Sequence, residues 1–406
     1  MKICLLASAF RPYSNSGADV AVENTVDGLL QLGHEVSVIT VGYWLGFKSL
    51  WPQAEELKVA KGKLMVYRYY PFNLFSFLTI NSRPAWLRLP WHGLDMLNLH
   101  AYIVARCILK KIRPQLVLTH NLKGLGYSSI RAASAYSRKF TARHVHTLHD
   151  VQLVVPSGRL IKGEEQAWQN KFWLTRLYGS INRWLFSSPQ VVVSASQFLL
   201  DFYVERGFFQ HSKRVVLLNP LRPVLQLSPA PQKTDQLHFL YLGQIESHKG
   251  IIFLIDTFKK FLTKWPRRVT LLVVGSGALL ADIKNSAQGY EEIIVSGAVP
   301  HRQLPEVFSG IDATIFPSLC YENSPTIIGE SMSFGVPVIA AQIGGVQLVQ
   351  HGVNGYIFEA GDSEDLLKVL EHCLNRRDEL FALRPAAANT VKGLDIDSYL
   401  KKLLVL

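Results

Sequence analysis

The stretch NPLRPVLQLSPAPQKTDQLHFLYLG, Asn219–Gly243, decides how the chain divides. Its first part, Asn219–Asp235, carries four prolines and no apolar period, and so reads as a linker. From His238 a short, buried-type β-strand begins and ends on Gly243. Similar runs follow at 269–275, 292–297, 313–318, 337–341 and 355–358, with helical segments between them. The segment after Gly250 places Leu254, Phe258, Phe261 and Leu262 on one stripe. Before the linker the same alternation runs from Lys2–Ala7 through Val36–Thr40, Met65–Tyr70, Gln115–Thr119, His144–Leu148 and Val191–Ser194 to Val215–Leu218. Strands alternating with helices predict an α/β chain of two doubly wound, parallel-sheet, Rossmann-like domains. The expected boundaries are 1–218, a linker at 219–235, 236–394, and a terminal helix, 395–406, crossing back to the first domain. Two such domains are expected to face a cleft, with ligands at the carboxyl ends of the strands.

Bulk properties agree with a globular enzyme-sized chain. There are 406 residues, too many for one ordinary core, and 48% of them are hydrophobic. The four cysteines are scattered and suggest neither a metal site nor a disulfide framework. The start, MKICLLASAFRPY, reads as a first strand, because Arg11-Pro12 interrupts it where a secretion signal would be cleaved. No apolar run is long enough to span a bilayer, so a cytoplasmic protein is expected. The net charge is +12, and its distribution is uneven. Residues 1–218 hold 26 Lys and Arg against 12 Asp and Glu, whereas residues 219–406 hold 17 against 19. The first half is therefore expected to face something acidic, such as the inner face of a membrane or an anionic acceptor. Aromatic and basic residues mingle around Tyr43–Trp51, Phe72–Trp91 and Lys171–Phe186. That mixture suits a membrane interface. In the last of these segments, Trp173, Leu177, Ile181 and Trp184 share a face, which reads better as packing on the sheet. No nucleic-acid-binding motif occurs.

The chemistry concentrates in loops that follow strands. In YENSPTIIGE, Tyr321–Glu330, Ser324 reads as an N-cap and Pro325 as the first helical residue. The free N–H groups of Thr326 and Ile327, with the positive end of the helix dipole, suit a diphosphate. Glu322 stands just before that start, where it can accept hydrogen bonds from sugar hydroxyls. Glu330, inside the helix, can take a ribose diol. Asn323 lies between the acid and the helix start. Lys249 follows a strand in GQIESHKG and can meet a leaving diphosphate as a point charge. Gly275, in VVGSG, permits close backbone approach to a ligand. Gly17 opens the first helix after strand one. His149, in HTLHD, ends another strand and can contact a sugar or relay a proton. Each piece alone is equally compatible with ordinary caps, turns and solvated side chains. Asp395-Ile396-Asp397 has the spacing of a metal-binding pair, but it precedes a helix and reads as capping, so no metal is assigned.

Taken together, GQIESHKG, VVGSG, YENSPTIIGE, SFGVPVIA and GGVQLVQHGVNGYIFEAGD resemble the retaining nucleotide-sugar glycosyltransferases of the GT-B fold, glycosyltransferase family four. SGADVAV, GHEVSVIT, HTLHD, VVVSAS and LLNP in the first half are similar as well. The resemblance implies a C-terminal domain for a UDP- or GDP-sugar and an N-terminal domain for a glycan or lipid-linked acceptor in cell-envelope or polysaccharide assembly. It also implies no cofactor. It assigns Glu322 to the donor sugar, Glu330 to the ribose, Lys249 to the phosphates, His149 to the vicinity of the reacting sugar and Gly17 to the N-terminal glycine loop. Gln244 stands where the family often has Arg, which leaves more of the leaving-group charge to Lys249 and the helix start. The alternatives are a sugar-nucleotide epimerase on the same fold, which would need acid/base groups beyond His149, and a basic binding module without catalysis.

Overall fold

The computed structural model describes residues 1–13, 17–164, 173–221 and 236–406. They form two compact units. Unit 1 takes the described residues of Met1–Arg159, Gln166–Pro220 and Ile396–Leu406, and unit 2 those of Leu160–Glu165 and Leu221–Asp395. Most of the expected linker, 222–235, lies outside the described residues.

Unit 1 is built on eight strands: β1 (Lys2–Leu6), β2 (Glu35–Val41), β3 (Gln53–Leu57), β4 (Lys63–Tyr69), β5 (Leu116–Thr119), β6 (Arg143–Leu148), β7 (Val191–Ser194) and β8 (Lys213–Val216). Their spatial order is β3-β4-β2-β1-β5-β6-β7-β8. Every pairing is parallel except β3 with β4. Strand β3 was not anticipated. Its sequence, QAEEL, is polar and exposed, and it holds its place only by pairing with β4 at the sheet edge. The order turns about β1 and β5, so the loops after these two strands emerge side by side. Ser8 accordingly bonds Asn121 through both its amide and its hydroxyl.

Helix Gly17–Gln31 buries Val22, Val26, Leu29 and Leu30 against this sheet. The final helix, Ile396–Val405, packs on it through Tyr399, Leu400 and Leu403. Gly28 makes that contact close: a Cβ there would stand 2.6 Å from Ile396 Cγ1.

Unit 2 carries β9 (Leu237–Leu242), β10 (Val269–Val274), β11 (Ile293–Gly297), β12 (Ala313–Phe316), β13 (Val338–Gln342) and β14 (Gly355–Glu359), ordered β11-β10-β9-β12-β13-β14. All pairings are parallel. Both faces are covered, which explains the unbroken apolar strands. In β9, Phe239 and Tyr241 enter one core cluster and Leu240 another. One boundary departs from expectation. The described residues of Leu160–Glu165 belong to unit 2, where Leu160 O accepts from Tyr321 N–H (2.8 Å) and Leu319 O from Lys162 N–H (3.0 Å).

Candidate active site

In unit 2 the strand order reverses between β9 and β12. At such a switch point the loops at the carboxyl ends part and leave a crevice for a ligand. The β9 loop carries Lys249 and the β12 loop carries Glu322. Gly250 brings these loops together. Its left-handed conformation (φ 74°) joins a short 3-10 turn, Ser247–Lys249, to helix Ile251–Lys264. A Cβ on it would lie 1.9 Å from Pro317 O, at the start of the β12 loop. The result is a direct ion pair, with Lys249 Nζ donating to Glu322 Oε1 at 2.5 Å. Both side chains are mostly buried, and Ser318 Oγ donates to the same carboxylate oxygen at 3.2 Å.

The backbone of Glu322 is held from the other side. Gly345 N–H donates to its carbonyl at 2.7 Å, and Gly344 (φ 60°) lies against it so closely that a Cβ would be 2.4 Å from that oxygen. The Gly344-Gly345 pair thus sets the height of the acid in the crevice.

The helix that follows runs Thr326–Ser333. Here the structure corrects the expected cap. Pro325, extended at ψ 115°, is the flanking residue, and it makes no side-chain capping hydrogen bond. Ser324 therefore stands outside the helix. The extended backbone of Pro325 delays the helix start by one residue, to Thr326, which leaves Ser324 one position too early to cap it. The amides of Thr326 and Ile327 open the helix, and first-turn amides have no intrahelical acceptor. Glu330 lies one turn further on, where His301 Nε2 stands 3.8 Å from its Oε1. The sequence alone offered no signal for this partner. Asn323 is half-buried beside Glu322.

The glycines after β10 let the neighbouring loops meet. A Cβ on Gly275 would lie 1.8 Å from Gly243 O, and one on Gly277 2.3 Å from Ile245 O. The Gln244 carbonyl accepts from the Tyr241 hydroxyl at 2.6 Å, while its side chain is exposed.

Unit 1 gathers a second group of polar side chains. His149, after β6, meets His120, after β5: Nε2 and Nδ1 are 3.0 Å apart. Burial lowers the pKa of His149 to about 4. Burial, then the charges of His149 and His146, hold His120 well below the ordinary histidine range. Both rings are neutral at pH 7, so His149 can donate or accept a hydrogen bond there but brings no positive charge. Asp150 accepts from Gln152 N–H (2.8 Å) and Asn121 Nδ2 (3.2 Å). His120 and Asn121 escaped the sequence reading, although HNLKG follows the strand LVLT just as HD follows HTL. Gly17 is exposed at the start of its helix, and a Cβ there would meet nothing within 4 Å.

Two parallel-sheet units of this topology, one of them with a cation, a carboxylate and an open helix start at its switch point, define a GT-B-type sugar-transfer fold. The chain belongs to the glycosyltransferases: residues 16–220 match the family described as "Glycosyl transferase 4-like domain", and residues 236–376 that described as "Glycosyl transferases group 1". It is 23% identical over 350 residues to an "Uncharacterized 42.6 kDa protein in cps region" of Klebsiella pneumoniae, covering 85% of this chain and 86% of that one. It is 26% identical over 178 residues to the "Lipopolysaccharide 1,6-galactosyltransferase" of Escherichia coli, covering 41% and 47%. Its fold is similar to that of Anabaena Alr3699/HepE in complex with UDP-glucose, with a TM-score of 0.66, 18% identity and full coverage of both chains.

Proposed function

We propose that this glycosyltransferase moves a hexose from a UDP- or GDP-sugar, with retention and without a metal or cofactor, to a glycan or lipid-linked acceptor of the cell envelope. The observation that carries the reading is the meeting of Lys249, Glu322 and the Thr326 helix start at the switch point of unit 2. Lys249 and the amides of Thr326 and Ile327 would take the diphosphate, whose charge grows as the sugar leaves. Glu322 would accept from the sugar hydroxyls and Glu330 from the ribose. Gly275 and Gln244 would lie along the nucleotide, and Asn323 beside the sugar. Lys249 is bound to Glu322 in the structure. A diphosphate would draw the ammonium away and free the carboxylate for the sugar, so one exchange would arm both groups. In unit 1 we assign the neutral His149 to the acceptor's side of the reaction and Gly17 to substrate contact. The UDP-glucose complex of the Anabaena structure and the lipopolysaccharide acceptor named for the Escherichia coli relative support the donor and acceptor classes.

A thermal-shift panel of UDP-, GDP- and ADP-sugars tests the donor. A ligand at a hundredfold its Kd stabilises by about 2.7 kcal/mol, which moves Tm by roughly 5–10 °C for a chain with domains of this size. One nucleotide should stand out, and a flat panel would remove the reading.

We also propose that unit 1 works at the inner face of an anionic membrane. Among the described residues no helix is long and apolar enough to cross one. Its basic excess is joined by exposed aromatics, including Phe47 (82%), Trp86 (73%) and Trp173 (72%). Co-sedimentation with vesicles containing anionic lipid should be strong at low salt and fade as salt rises. Equal recovery with neutral vesicles would refute membrane attraction by charge.

A further inference from the structure

The helix Trp173–Leu185 does not pack as its sequence suggested. It buries Tyr178, Asn182 and Leu185, while Trp173, Leu177 and Trp184 stay exposed. Two residues of the expected packing face, Leu177 and Ile181, instead line a groove. Leu174, Leu177 and Ile181 form one wall, and Leu89, Gly93 and Met96 of helix Ala85–Met96 the other. The cavity holds about 650 Å³, ample for a small-molecule ligand, and its lining is almost wholly apolar.

Hydrogen bonds tie the groove wall to the segment that carries His149. Tyr178, in its wall, donates its hydroxyl to Gln152 O at 2.8 Å. Gln152 in turn donates its amide to Asp150, the neighbour of His149. Pro156, also lining the groove, has its carbonyl held by Lys123 Nζ at 2.8 Å. The cation in the groove lining is Arg88. Burial, then the charges of Lys123 and Arg88, lower the pKa of His92 to about 4. Lys123 also feels Arg159, with Asp95 and Asp150 as the opposing acids.

An apolar trough offers nothing to the hydroxyls of a glycan, and the Arg88 guanidinium offers nothing to a neutral hydrocarbon. Both together match an amphiphile with an anionic head. We propose that this groove seats the hydrocarbon chain of a lipid acceptor whose phosphate-bearing head lies against Arg88. The inference rests on the lipid-linked alternative among the acceptors proposed above and selects it over a soluble glycan.

The test uses the full chain and a series of octyl, decyl and dodecyl phosphates below their micelle-forming concentrations, read by calorimetry. Affinity should rise about fourfold per methylene removed from water, while inorganic phosphate at the same concentration should not bind. Gly93→Phe fills the groove, since a Cβ on Gly93 meets nothing within 4 Å. It should weaken dodecyl phosphate at least tenfold and flatten the series. Leu177→Glu, at an exposed position, should do the same if Gly93→Phe fails to fold.

Unchanged binding in the folded variants would overturn the proposal, and so would dodecyl maltoside binding as tightly as dodecyl phosphate. The donor thermal shift, run on the same samples, separates the two readings. A donor shift with a flat alkyl series removes the groove assignment alone. An alkyl series that behaves as expected without any donor shift keeps the groove and removes the donor site.

Discussion

Replacing Lys249 with Ala is expected to lower kcat/KM for sugar transfer by about two to three orders of magnitude, the usual cost of removing one preorganised group that stabilises transition-state charge. The loss should fall mainly on kcat, because the diphosphate gains charge as the glycosidic bond breaks. Gln244 sharpens the expectation, since it is an uncharged residue in the same loop. The variant also strips Glu322 of its ion-pair partner and leaves Ser318 as the donor recorded on that carboxylate. Glu322→Ala should reduce transfer too. Because the two side chains touch, the double variant should lose less than the two single losses combined. Initial rates over a donor series check this. Undiminished transfer in Lys249→Ala would remove the site as assigned.

Gly250→Ala should destabilise unit 2 by about 3–5 kcal/mol, among the larger effects of a single substitution. Two costs add here. A left-handed backbone disfavours any Cβ by about 1–2 kcal/mol. In addition, that Cβ would fall 1.9 Å from Pro317 O, a backbone atom that moves only if the β12 loop moves. Gly310 isolates the second cost: its φ is 81°, and a Cβ there meets nothing within 4 Å. Gly310→Ala should therefore show only the backbone cost. Urea midpoints of the two variants provide the comparison, and equal losses would refute the tight approach of the β9 and β12 loops.

The α/β alternation, the parallel strands and the loops that carry Lys249, Glu322 and His149 could all be read along the chain. Each leaves a short-range mark: a run of β-branched residues, a helical stripe, or a glycine or proline at a strand end. Strand β3 left no such mark, because QAEEL becomes a strand only through its hydrogen bonds to β4. His301 stands next to Glu330 across a gap of many residues, and His120 meets His149 from a different strand. Neither contact has a local pattern.

Periodicity is a property of neighbouring residues, so the order and type of the elements, and the residue types at the strand ends, were settled by the chain itself. Partnership was settled in space. The close packing of Gly250 on Pro317 and of Gly344 on Glu322 turned two separate loops into one ion pair. The docking of Tyr178, Asn182 and Leu185 on unit 1 decided which face of the Trp173–Leu185 helix is buried and which lines the groove. A hydrophobic stripe shows that a face is apolar, but only the tertiary contacts decide what covers it.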